Sequence, residues 1–315
     1  MNRILAFTTA FALLPTFALL PMAANAQSLS FTSKDPSRPI EVTANQGIEW
    51  QQNGKLFIAR GNAKAKQDDL SVTADELTAH YRDSKSGGTE VYRVDAIGNV
   101  TIESSSEKAT GSAAVYDFDK SVLVVAGGPV PVTLTTSTGK VTAEDTIQYW
   151  SNEKVAVAQG KAEAEDDTRR IKADRLTAYF TDTAPAADKS KGKTVANKDN
   201  SEIRLVQGEG NVTLRTDKET VKGSRGEYNR ITGIAKVEGN VQMTQGQNTI
   251  SGGFAVVDTK AGTSRLFGSA AEAKTSGPQA DNRVKALIAP KPKTAAESLS
   301  EGAPDASKTP APQKR

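Results

Sequence analysis

The chain has 315 residues, with 40 basic and 37 acidic side chains, a net charge of +3, one histidine and no cysteine. The lack of cysteine excludes disulfides, and the cysteine and histidine counts together exclude a metal site built on those residues. The near balance of charge lacks the clustered basic face of a nucleic-acid-binding domain.

Residues 1–26 read as an export signal. Arg3 supplies the positive start, an apolar run from Ile4 to Leu20 is broken by Pro15, and Ala24-Asn25-Ala26 forms a small-residue cleavage site. Cleavage after Ala26 would start the mature chain at Gln27. From there to residue 268 one phrase recurs. It reads Gly61-Asn62-Ala63, Gly98-Asn99-Val100, Gly210-Asn211-Val212 and Gly239-Asn240-Val241, with weaker copies at Gly160-Lys161-Ala162 and around Gly127-Gly128. Most copies are followed by an Ala-Asp or Gly-Ser step leading to a tyrosine, as in Ala74-Asp75 to Tyr81 and Gly223-Ser224 to Tyr228; the last runs from Ile250-Ser251-Gly252 to Val257. A half-copy from Val42 to Trp50 opens the series, and Phe267-Gly268-Ser269 begins a last partial one.

Around the glycines the positions −4, −2, +2 and +4 are apolar, and the intervening ones after the glycine, such as Lys64 and Lys66 or Thr101 and Glu103, are polar. This period of two predicts strands with one buried and one wet face. Gly-Asn in mid-strand predicts a bulge or bend, because both residues tolerate positive φ. Repeated in register, such a bend predicts a V-shaped or rolled antiparallel sheet. The inner face is rich in Ala and Val, and unusually Ala-rich in the Gly160 copy (Ala156, Ala158, Ala162 and Ala164), which fits either a closed core of small side chains or a groove held open for an apolar ligand. Two stretches depart from the repeat: a polar insert at 183–200, and an Ala/Pro/Lys-rich tail at 269–315 that reads as disordered. The tail contains a short apolar patch from Val284 to Ile288, read as a stray cluster.

No constellation points to catalysis. His80 lies in a strand, without a nucleophile implied beside it. Asp68-Asp69 and Asp166-Asp167 sit where turns are expected, and aspartate favours turns. Asp75 and Asp174 recur with the repeat, and Tyr81, Tyr116, Tyr149, Tyr179 and Tyr228 read as one ladder; both patterns point to scaffold. No glycine motif that cradles phosphate is present.

The repeated Gly-Asn-Val, the Ala-Asp or Gly-Ser step and the tyrosine, in an exported chain without cysteine, resemble the OstA-like domain of the LptA family over roughly Ile40 to Gly268. The resemblance implies a rolled, jellyroll-like antiparallel β-sheet open at both ends, in a periplasmic protein that binds lipopolysaccharide and uses no cofactor. It further implies stacking of sheet edges with an LptC-type protein at the inner membrane and an LptD-type protein at the outer membrane, and head-to-tail homo-oligomers. Carried over by position, the lipid groove would be lined by Phe57, Ala59, Val94, Val100, Ile102, Val212, Leu214, Val237, Val241 and Met243. Two other classes compete: a scaffold of similar fold that binds only protein partners, and a polysaccharide-active enzyme on a parallel β-helix. The acids of such an enzyme would cluster on one face of adjacent rungs, whereas here they fall in turns.

Overall fold

A computed structural model of the protein describes residues 39–84, 87–182, 201–270, 273 and 284–288. The signal segment, the 183–200 insert and most of the tail lie outside these residues. Among the described residues there is no helix, and every strand pairing is antiparallel. The strands are β1 (Glu41–Thr43), β2 (Ile48–Gln51), β3 (Leu56–Gln67), β4 (Leu70–Asp83), β5 (Thr89–Glu103) and β6 (Glu107–Asp117). Four short ones follow: β7 (Val122–Ala126), β8 (Val132–Thr136), β9 (Gly139–Ala143) and β10 (Thr146–Trp150). Then come β11 (Val155–Glu165), β12 (Arg169–Asp182), β13 (Ser201–Thr216), β14 (Thr220–Asn229), β15 (Ile234–Gln245) and β16 (Asn248–Asp258). β17 (Thr263–Phe267) and β18 (Lys285–Leu287) end the series. All eighteen belong to one sheet.

The long strands are bent in the middle, which divides the sheet into two leaves. In β3, Arg60 pairs with Glu76 and Ala63 with Ala74, so Gly61 and Asn62 together face Asp75 alone. The same shift falls between Ile97 and Val100, Gln159 and Ala162, Glu209 and Val212, and Glu238 and Val241. At each of these corners two consecutive residues take positive φ: Gly61 (81°) with Asn62 (46°), Gly98 (79°) with Asn99 (47°), and Gly160 (88°) with Lys161 (41°). Gly210 with Asn211 and Gly239 with Asn240 repeat the pattern. The predicted bend is therefore present in these five copies, whereas around Gly127-Gly128 the strand is interrupted. The short strands obey the same plan: β7 and β8 pair with the two halves of β6, and β9 and β10 with the two halves of β11. Each pair stands for one bent strand, broken at its corner.

Space and conformation both restrict the first corner residue to glycine. A Cβ on Gly98 would lie 2.1 Å from Asp75 Oδ2, and one on Gly210 2.1 Å from Asp174 Oδ2. The aspartate sits there because it accepts from the next asparagine: Asn99 Nδ2 donates to Asp75 Oδ2 at 3.0 Å, and Asn211 Nδ2 to Asp174 Oδ2 at 2.9 Å. In the Gly160 copy Lys161 replaces asparagine, and its Nζ lies 2.9 Å from Glu144 Oε1 instead. In the Gly239 copy Ser224 Oγ donates to the Gly239 carbonyl at 3.3 Å. The recurring Ala-Asp and Gly-Ser steps are thus the clasps of neighbouring corners.

A larger duplication underlies the hairpin repeat. Lys55 and Lys154, Gly61 and Gly160, Asp75 and Asp174, Leu77 and Leu176, and Tyr81 and Phe180 are each 99 residues apart. Backbone bonds match as well: Tyr81 N donates to Lys55 O at 3.0 Å, and Phe180 N to Lys154 O at 2.9 Å. Beyond the 183–200 stretch the offset becomes 112, as for Gly98 and Gly210 or Tyr116 and Tyr228. This changes the tyrosine ladder. Phe180, not Tyr179, is the counterpart of Tyr81; Tyr179 is the counterpart of His80 and points outward, its hydroxyl donating to Gln207 at 3.1 Å. Tyr116, Tyr149 and Tyr228 share a second inward position.

One part of the tail also departs from expectation. Lys285–Leu287 is paired with β16, Ala286 opposite Ile250.

Replacing Gly98 by alanine should cost about 2–3 kcal/mol, combining left-handed strain with the Asp75 clash. With Asp75→Ala in the same chain, the loss should be smaller than the sum of the two single losses, because the clash partner is gone. Urea unfolding of the four-member cycle measures both effects.

Candidate functional site

The two leaves converge at the corners, so the inner positions next to each corner must be small. Ala59, Ala96, Ala158 and Val237 precede the corner glycines by two residues and are buried; Ala63, Val100, Ala162, Val212 and Val241 follow by two and are buried as well. Packing density there leaves no room for larger groups. Farther from the corner the leaves separate, and what fills the space differs along the roll.

In the first part the interior is closed. Val100, Ile102, Leu123 and Val132 belong to one continuous buried cluster, and the cavity beside Leu123 and Val132 measures about 10 Å³. The filling changes at β11. Its inward residues Ala156, Ala158 and Ala164 line a cavity of about 190 Å³, walled by Leu134, Leu176 and Val206. β11 carries alanine at all four of its inward positions, 156, 158, 162 and 164, whereas β3 has Phe57 at the place of Ala156 and alanine at the other three. Beyond it the turn regions of the two leaves stand apart around a trough of about 950 Å³, with Met243, Ile250 and Val257 on its floor and polar residues from 165–170 and 215–219 on its rim. The Ala-rich Gly160 copy was the sequence signal for this cavity.

The ten groove positions expected from sequence all face inward. Ala59, Val100, Ile102 and Val212 lie in the first buried cluster, and Leu214, Val237, Val241 and Met243 in the second. Phe57 and Val94 are half-buried; Phe57 stacks between Trp50 and Tyr81, with ring centroids at 5.5 and 4.9 Å. Met243 lines the trough, and Val212, Leu214 and Val237 line a void of about 20 Å³ between the clusters. The residues around the larger cavity, Leu134, Ala156, Ala164, Leu176 and Val206, were not singled out by sequence.

Polar contacts join the leaves along their open side. The Arg169 guanidinium donates to the Tyr228 hydroxyl and lies 5.2 Å from the centre of its ring. Ser264 Oγ donates to Glu219 Oε1 at 2.6 Å. Arg169 borders both the cavity and the trough, so this contact sits between them.

The remaining polar groups carry structure. His80 Nε2 lies 2.6 Å from Asp95 Oδ2, and Arg93 Nη2 donates to Asp95 Oδ1 at 2.7 Å, all on the outer face. His80 is therefore clasped by an acid rather than merely solvated. Asp166 Oδ1 accepts from the backbone N–H groups of Thr168 and Arg169, as turn chemistry requires. Among the described residues no group of three or more acidic, histidine or cysteine side chains could hold a metal. Outer-face pairs such as Arg82 with Asp119 and Glu90 are exposed, and Arg82 holds both carboxyls below their usual range.

Burial pushes the phenols of Tyr116 and Tyr149 above their ordinary value, and Glu107 adds to the shift at Tyr149. The folded state thus favours the neutral phenol. That stability is fully present below about pH 10 and is lost as pH rises through the raised value. Melting temperature should fall more steeply above about pH 10 in the parent than in Tyr116→Phe/Tyr149→Phe, read by circular dichroism.

A family model described as the LptA/(LptD N-terminal domain) LPS transport protein matches residues 41–149 and again 140–263. The two matches follow the internal duplication. Among solved structures, LptH, described as the LptA-homologous periplasmic component of the lipopolysaccharide transport device of Pseudomonas aeruginosa, matches at 14% identity. That match covers 80% of this chain and 96% of LptH, with a TM-score of 0.20. No curated protein gives a significant match. With the family pattern running twice through one bent, two-leaved sheet, the chain belongs to the LptA/LptD N-terminal domain family of lipopolysaccharide transport proteins.

Proposed function

We propose that this protein is a periplasmic bridge component that carries lipopolysaccharide from the inner towards the outer membrane, sheathing its acyl chains between the two leaves. The observation that carries this reading is the apolar cavity lined by Ala156, Ala158 and Ala164, next to a trough floored by Met243, Ile250 and Val257, with Arg169 bordering both. Hiding an acyl chain from water is worth about 0.8 kcal/mol per methylene, so a continuous apolar interior supplies what an aqueous crossing lacks. The protein acts by binding, without catalysis and without a cofactor. The acyl chains seat in the section from Leu134 to Val257, and the ten inward residues expected from sequence form the walls and the closed section next to it. The cleaved signal at residues 1–26 delivers the chain to the periplasm. The sheet edges dock an LptC-type protein on one side and an LptD-type protein on the other, since unpaired strands accept partner strands.

A scaffold that binds only protein draws support from the closed packing around Val100 and Ile102. A photo-crosslinking residue separates the two readings. Placed at Val206, which lines the cavity, it should give lipopolysaccharide adducts in cells; placed at Gln207, whose side chain bonds Tyr179 on the outer face, it should give none. Absence of adducts at Val206 in a folded, exported chain would overturn the lipid reading in favour of the scaffold. Ala178→Trp, which fills the cavity, should weaken lipopolysaccharide binding by roughly tenfold or more without loss of folding, as measured on the purified protein.

A further inference from the structure

The two units of the duplication differ in what flanks one inward tyrosine. Tyr116 in the first and Tyr228 in the second hold the same place, 112 residues apart. Backbone bonds beside them match: Phe118 N donates to Tyr92 O at 3.0 Å, and Arg230 N donates to Arg204 O at 3.0 Å. Phe118 and Arg230 are therefore counterparts. On the facing leaf, Leu70 opens β4 and Arg169 opens β12, 99 residues apart, so these two are counterparts as well.

In the first unit the three places are apolar or aromatic. Leu70 and Tyr116 both pack against the buried cluster, and Phe118 meets the Tyr116 ring edge-on, with centroids 4.6 Å apart. In the second unit both flanking places carry arginine. The change falls where the interior is hollow: Arg169, Tyr228 and Arg230 all line the cavity of about 190 Å³. Arg169 begins its strand and Arg230 follows the end of β14, so both stand at the rim of the leaves. Ala158 and Leu176, on the same lining, lie deeper, towards the corner.

Neither arginine is matched by a carboxylate. Arg169 donates to the Tyr228 hydroxyl, and its Nε donates to Thr168 Oγ1 at 3.3 Å; both acceptors are neutral. Arg230 is exposed, and among the described residues no side chain accepts from its guanidinium. The acids on the same lining are engaged elsewhere. Glu165 accepts from Arg170 at 2.6 Å, and Asp166 accepts from the backbone N–H of Arg169 within its own turn. Glu107 is buried, 5% exposed, close enough to Tyr149 to raise its phenol. An apolar interior with two unmatched cations at its rim is complementary to a chain that ends in negative charge.

We infer that Arg169 and Arg230 form an oxyanion subsite at the rim of the cavity, which takes the acidic head of an amphiphile while its chain lies against Ala156 and Val206. The Tyr228 hydroxyl holds the place of one head-group oxygen. Hydrogen bonds from arginine to an oxyanion are about twice as strong as those between neutral groups, so the head displaces the phenol. The two cations come from opposite leaves, and one head bound to both ties the leaves across the open side. Leucine and phenylalanine at the same places in the first unit offer such a head nothing, and there the interior is filled. This rests on the reading that acyl chains seat in the cavity, and it adds what holds their charged end.

Calorimetric titration of the full-length protein with decyl phosphate, below its micelle concentration, should show affinity roughly tenfold or more above that for decanol or decyltrimethylammonium. Added salt should shrink this advantage, because the rim is open to solvent. Arg169→Leu together with Arg230→Phe, the residues of the first unit, should bring decyl phosphate to the affinity of decanol. Equal affinity for the three amphiphiles in the parent, or an advantage kept in the double variant, would overturn the oxyanion subsite and leave the seating of chains standing. Inorganic phosphate bound as tightly as decyl phosphate would overturn the amphiphile in favour of a free anion. Binding of none of the three amphiphiles would overturn both the subsite and the seating of chains on which it rests. If the double variant melts early, Arg230→Gln, at an exposed residue, decides: the advantage should fall roughly threefold or more, and an unchanged one would overturn the subsite.

Discussion

Two consecutive residues in the left-handed region, repeated at each corner, are the constraint on which this molecule depends. A β-strand carrying Gly98 and Asn99 at φ of 79° and 47° cannot run straight. It turns its second half away from its first, and the neighbouring strand must turn with it to keep its ladder. Asp75 fixes the place of the turn by filling the volume that a Cβ on Gly98 would need and by accepting from Asn99. A slip of one residue would both lose that clasp and send the inward side chains to solvent. Local chemistry and hydrophobic pattern therefore select the same register.

The shape of the interior follows. Leaves that meet at a corner admit only small groups there, which is why Ala63, Ala162 and Val241 sit beside it. Away from the corner the inward residues are free to differ, and they do. The first unit fills its space with Leu123, Val125 and Ile102, while in the second Ala156, at the place Phe57 takes in the first, borders the cavity. The two repeated units thus differ inside: one is packed closed and the other holds a cavity, with the trough beyond it. The Arg169–Tyr228 contact spans the leaves where cavity and trough meet, so the apolar interior is bounded by a polar tie on its open side.

The duplication also explains the ends. In the middle of the chain β9 and β10 are sealed by β7 and β8, so the join between units is a continuous sheet. At the termini the same kinds of strand have, among the described residues, no partner on their outer side, and inward side chains such as Trp50 are exposed. Exposed edges attract further strands.

The sequence by itself determined the strand class, the inward and outward faces and the corners, because those depend on period-two alternation and on residues that tolerate positive φ, all local properties. It also carried the family pattern. The Ala-rich Gly160 copy was legible as an oddity, but not as a cavity, since a void depends on what faces it across the roll: Leu134, Leu176 and Val206 come from strands far apart in the chain. The same limit hid the role of Phe180, which takes the place of Tyr81 only once the 99-residue offset is fixed by pairing. It also hid the strand at Lys285–Leu287, three residues too short to stand out from the tail around them. What only the tertiary structure decided were the matters of juxtaposition: which part of the interior is filled, which side chains tie the leaves together, and which segment completes the final edge. Alternation says which way a side chain points; it does not say what lies opposite.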